Sequence, residues 1–120
     1  AGHPIPFIIN KQTGESAPLG PYEAGGLPLG LYSDAEYESH VTPIPEHSRL
    51  LIFTDGLPEA FGEIDGRHCE FGMQGMMDTL IRTRSQSAAD ALQALFDDSQ
   101  EITQGAGRHD DSSVVIVDRL

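Results

Sequence analysis

Four stretches of the chain carry the apolar pattern of β-strands, and two carry that of helices. Residues 6–10 form a short run rich in β-branched and aromatic side chains, closed by a polar turn over 11–15. Glycine and proline at the density seen over residues 18–30 exclude a helix, and the interleaved Leu27, Leu29 and Leu31 predict a loop pinned onto a core. Residues 37–42 alternate as a half-buried strand does, and Pro43 and Pro45 close it. A tight link over 45–48 leads into the apolar run at 49–54, and two strands so joined are most simply an antiparallel hairpin. Residues 57–66 read as a polar, glycine-punctuated loop carrying Glu59, Glu63 and Asp65.

From Gly72 the period changes. Met73, Met76, Met77, Leu80 and Ile81 fall on one helical face, with the methionines as adaptable core. Residues 85–87 break this helix, and Ser87 followed by Asp90 has the form of an N-cap with an acid in the first turn. Ala88, Ala91, Leu92, Leu95 and Phe96 make the stripe of a second helix running to about Glu101. After a loop over 104–109, residues 113–117 form a β-branched run typical of a central strand. Strands grouped before helices predict an α+β fold, with a helical layer over one face of an antiparallel sheet.

Composition narrows the setting. A chain of 120 residues is one domain or a piece of one. Nineteen acids against seven bases give a net charge of −12, which argues against nucleic acid or an anionic membrane as partner and is compatible with divalent cations. The single cysteine, Cys69, excludes an intrachain disulfide and fits a reducing, cytoplasmic compartment. Although it lies between His68 and Glu70, no second cysteine exists to build a zinc site, and it reads as an isolated thiol. No apolar run approaches the length that crosses a bilayer, so membrane contact by this segment is not expected. The chain opens without a methionine and enters an apolar stretch almost at once, as a piece of a longer protein would.

The chemistry worth weighing lies at two strand ends. Asp55 follows the 49–54 run, whereas Asp110 and Asp111 precede the 113–117 run. If the two runs pair antiparallel, the end of one stands beside the start of the other, and the acids meet at one edge of the sheet. Converging carboxylates repel unless a cation intervenes, and Mg²⁺ or Mn²⁺ with oxygen ligands and waters would answer that. The alternative is two unrelated turn acids, since Asp-Gly is also an ordinary turn. Of the five histidines only His109 abuts the acidic pair. No G-x-S-x-G elbow, P-loop or dinucleotide fingerprint is present.

Four segments then match a family pattern in order: Ala1-Gly2-His3-Pro4 before a strand, Gly26-Leu27-Pro28-Leu29-Gly30, Thr54-Asp55-Gly56-Leu57 with Glu59-Ala60, and Asp110-Asp111-Ser112-Ser113 before the last strand. Over nearly its whole length the chain resembles the C-terminal part of the catalytic domain of metal-dependent protein phosphatases of the type-2C superfamily. The likeness is to the bacterial branch typified by the stage II sporulation protein E phosphatase. The resemblance implies a four-layer α-β-β-α sandwich of antiparallel sheets flanked by helices, incomplete in this chain, with residues 1–120 the C-terminal portion of one catalytic domain. It implies hydrolysis of phosphoserine or phosphothreonine on a phosphoprotein, for example an anti-sigma factor antagonist, through two Mn²⁺ or Mg²⁺ ions that activate a bridging water. Asp55 and Asp110 match metal ligands of the family, Asp111 aligns with the position after Asp110, and Gly56, His109 and His3 fall near the site. Ser112 and Ser113 depart from the usual apolar-threonine pair. The family's remaining acidic motif has no counterpart in these residues, so the piece alone is expected to be inactive and to associate with copies of itself through exposed sheet edges. A non-catalytic regulatory or interaction module on the same scaffold is the alternative.

Overall fold

The structure is a computed structural model that describes residues 2–21, 25–104 and 110–120. It has six strands and two helices among those residues: β1 (Phe7–Asn10), β2 (Ser16–Pro18), β3 (Ser48–Phe53), β4 (Phe61–Ile64), β5 (Arg67–Glu70), α1 (Gly72–Arg82), α2 (Ala88–Thr103) and β6 (Val114–Arg119). Four strands make one antiparallel sheet in the order β2-β1-β3-β6, and β4 and β5 form a separate hairpin. Both helices lie on one face of the larger sheet. Ile9, Leu51 and Phe53 point from the strands into a core closed by Met76 and Leu80 of α1, Leu95 of α2, and Leu57, Ala60 and Phe71. The α+β expectation and the antiparallel pairing of the last strand with the 49–54 run both hold, through a ladder from Ser48↔Arg119 to Phe53↔Val114.

The helices form where the periodicity puts them. Met76 and Leu80 are buried, while Met73 at the edge of the stripe stays 37% exposed. Ser87 caps α2, its Oγ accepting the Asp90 N–H at 3.1 Å, and the helix runs on to Thr103 before Gln104 ends it in a left-handed conformation.

Four expectations are corrected. Residues 37–42 form no strand, and Tyr37 and Val41 are 45% and 97% exposed. The hairpin with β3 fails because β3 is a central strand: β1 takes one of its edges and β6 the other, leaving none to pair. Leu27, Leu29 and Leu31 are not pinned to the core but stand 48%, 76% and 56% exposed, and the core beside the sheet is made by Leu57, Ala60 and Phe71 with the helices. Residues 57–66 are not all loop, because β4 begins at Phe61 and returns through Asp65-Gly66 to β5. Positive φ at both turn residues, 53° and 72°, fits the two-residue hairpin turn for which Asp-Gly is a preferred pair. Lastly, β2 is an unanticipated fourth strand, three exposed residues that fold back along β1 after the 11–15 turn.

One buried charge ties the layers together. Arg49 of β3 is 0% exposed. Its Nε and Nη2 donate to the two carboxylate oxygens of Asp118 on β6 at 2.7 and 2.9 Å. Nη1 and Nη2 donate further to the carbonyls of Thr83 and Gln86, at 3.2 and 2.8 Å, in the turn between α1 and α2. A guanidinium suits this position because its planar fork matches a carboxylate and its charge favours the carbonyl end of a helix. Lys11 adds a third donor to Asp118 at 2.9 Å.

The Arg49 hydrogen bonds, with help from Lys11 and against partial burial, hold the Asp118 carboxyl at about 2, below the ordinary 3.8. Since the folded state binds this proton less readily than the unfolded chain, the stabilisation is complete above about 3.8 and is lost as pH falls toward 2. Its size is on the order of 2 kcal/mol. Urea unfolding at pH 4 and pH 2 should show that loss, and Asp118→Asn should show a smaller drop over the same interval. Arg49→Ala, which strands the Asp118 charge and two carbonyls, should cost roughly 3–5 kcal/mol at neutral pH.

Candidate metal-binding edge of the sheet

Beyond the last ladder pair, Phe53↔Val114, the two strands stay in contact through their flanking loops. The Thr54 N–H donates to the Ser113 carbonyl at 3.0 Å, which extends the ladder by one step. The Thr54 hydroxyl accepts the Ser113 N–H at 2.9 Å and donates to the Asp111 carbonyl at 3.4 Å. Gly56 is buried against the same segment. A Cβ there would stand 2.8 Å from both the Asp111 carbonyl carbon and Ser112 Oγ, and closer still to the Asp111 carbonyl oxygen. Only glycine lets the 54–56 turn approach the 110–113 backbone this closely.

Asp55 and Asp110 therefore sit on loops that touch, although 55 positions separate them in sequence. Both are exposed. Asp55 lines an open depression of about 580 Å³ with His3, Pro4 and the 25–27 loop. Asp110 lines another, of about 510 Å³, with Gly56, Glu59, Phe61 and Glu70. One oxygen of Asp110 accepts the Asp111 N–H at 2.8 Å, which fixes the carboxylate against its own backbone. Asp111 is exposed and meets the 54–56 turn through its carbonyl. His3 shares the Asp55 depression, and its Nδ1 is within 2.8 Å of the Pro4 carbonyl. His109 lies outside the described residues.

The donors have the chemistry a hard divalent cation takes: carboxylate oxygens at the mouth of a rigid strand pair. Their number falls short of a closed shell, because no group of three or more His, Cys, Asp or Glu side chains is gathered to hold an ion among the described residues. Within the clasp, Ser112 Oγ is buried without a hydrogen-bond partner among the described residues. Sequence reading located the acids but missed Thr54 and Ser113, whose contact joins the loops. The signal was present in the hydroxyl residues beside each acid turn, yet hydroxyls at strand ends are too common to single out.

The sequence model of the stage II sporulation protein E (SpoIIE) family matches residues 1–120. The chain belongs to this family. No curated protein matches it. Among solved structures, the SiaA-PP2C domain of Pseudomonas aeruginosa superposes with a TM-score of 0.72 at 17% identity, covering 97% of this chain and 43% of that one. At that identity the likeness establishes the fold: these residues form part of a PP2C-type α+β domain and span 43% of the length of that solved chain. A phosphatase-family scaffold thus carries both acids.

Because Asp55 and Asp110 are exposed, neither should matter greatly to stability. Asp55→Asn and Asp110→Asn are each expected to unfold within about 0.5 kcal/mol of wild type by thermal melting.

Proposed function

We propose that Asp55 and Asp110 are ligands in a Mn²⁺- or Mg²⁺-dependent phosphatase acting on phosphoserine or phosphothreonine of a protein, and that further ligands come from outside these residues. The supporting observation is the antiparallel β3–β6 ladder, which carries Asp55 off the end of one strand and Asp110 toward the start of the other, with Gly56 packed on Asp111 between them. Family membership over residues 1–120 points the same way. A bound divalent ion would supply a water of lowered pKa and polarise phosphoryl oxygens. The chain's own share is to present carboxylates on a backbone that does not need to reorganise. The 43% coverage of the solved PP2C chain supports a site finished by other residues.

A second reading, an interaction module without catalysis, draws on the same shortage of donors among the described residues. The two separate in the full-length protein assayed with Mn²⁺ and p-nitrophenyl phosphate or a phosphopeptide. The phosphatase reading expects Asp55→Asn and Asp110→Asn each to lower kcat/KM by about a hundredfold or more with the melting temperature unchanged. Wild-type rates in both variants would overturn the assignment of Asp55 and Asp110 as ligands, and a wild-type protein without Mn²⁺-dependent turnover would favour the module.

A further inference from the structure

The acid loops meet through residues other than the acids themselves. Both acids are exposed, and among the described residues no hydrogen bond runs from Asp55 to the opposite loop. The contacts that cross between the loops belong to their neighbours. Thr54 supplies three, through its N–H and both roles of its hydroxyl. Gly56 supplies the fourth by lacking a side chain where Asp111 and Ser112 press against it. These two residues flank Asp55 on either side, so any shift of the clasp moves Asp55 relative to Asp110.

We infer that Thr54 and Gly56 are positioning residues: they set the separation of the Asp55 and Asp110 carboxylates and thereby the affinity for a divalent cation. The inference rests on the ligand reading proposed above. Valine at position 54 keeps the shape and the backbone bond to Ser113 but loses the hydroxyl, so the Ser113 N–H loses its acceptor and the Asp111 carbonyl its donor. Serine restores both. Alanine at position 56 forces the 110–113 segment away, because the new Cβ meets backbone on that side and backbone cannot rotate aside. Neither substitution touches a carboxylate.

The test is a titration of the ¹⁵N-labelled full-length protein with MnCl₂, followed by paramagnetic broadening of amide signals. In the wild type, signals of residues 54–56 and 110–113 should broaden together over one concentration range. Thr54→Val and Gly56→Ala should need about tenfold more Mn²⁺, as loss of groups that orient ligands does elsewhere, and Thr54→Ser should stay within about twofold of wild type. Signals from the helices should remain dispersed and unshifted in each variant, which separates positioning from unfolding. Asp55→Asn and Asp110→Asn serve as the control arm. If those two titrate like the wild type, the ligand reading falls and the inference with it. If they weaken binding while Thr54→Val and Gly56→Ala do not, the inference alone is overturned. Should Gly56→Ala fail to fold, the Thr54→Val and Thr54→Ser pair decides.

Discussion

A guanidinium taken wholly out of water is costly unless each face of it is answered, and at Arg49 the answers come from three different parts of the chain. Asp118 belongs to β6, Thr83 closes α1, and Gln86 leads into α2. No one of these elements can be displaced without leaving a buried donor or acceptor unpaired. The apolar core would tolerate a sliding sheet better than this ion pair does, because hydrophobic contact has no direction. The pair therefore supplies geometric definition more than net stability, which is the usual balance for buried ions.

Its position in the ladder carries that definition to the far end of the strands. Arg49 and Asp118 are direct partners in the β3–β6 register, next to the last pair on their side. A slip of one residue would turn one strand's apolar set to the opposite face, and a slip of two would separate the acid loops by roughly 7 Å. Either would break the bidentate contact. The same register that seats Asp118 on Arg49 brings Ser113 opposite Thr54, and the loops bearing Asp110 and Asp55 follow. Structural ion pair and exposed carboxylates thus occupy opposite ends of one two-stranded ruler.

What could be read from the sequence was whatever depended on local period. The two helices, the cap at Ser87, the first strand and the last strand were legible because apolar spacing and turn residues specify them without reference to the rest of the chain. Pairing was legible only where it followed from strand direction, as for the acids. The hairpin expected of residues 37–42 failed on a non-local fact, that β3 has both edges occupied by strands far away in sequence. The β4–β5 hairpin was overlooked although Asp65-Gly66 marks its turn, because Phe61, Ile64 and their partners are too exposed to make a clear apolar alternation. At the candidate site the acids stood out, whereas the Thr54 hydroxyl and the missing side chain of Gly56 act through a backbone brought close by the fold. Nothing local in the sequence marks Arg49 for burial, and it is the most enclosed cation among the described residues because its partners come from β6 and the α1–α2 turn.

The strand order has a kinetic consequence. The central pair joins residues 48–53 to residues 114–119, and its other neighbour begins at Phe7, so the middle of the sheet closes loops of some of the greatest length this chain allows. Local pieces such as the β4–β5 hairpin and the helical hairpin can form early, while the sheet waits for residues 7–10 and 114–119 to meet residues 48–53. The loops that bear Asp55 and Asp110 come together only with that late closure. During synthesis, β6 emerges after β3, and the pairing that brings the 54–56 turn against residues 110–113 forms only after residues 114–119 have been made.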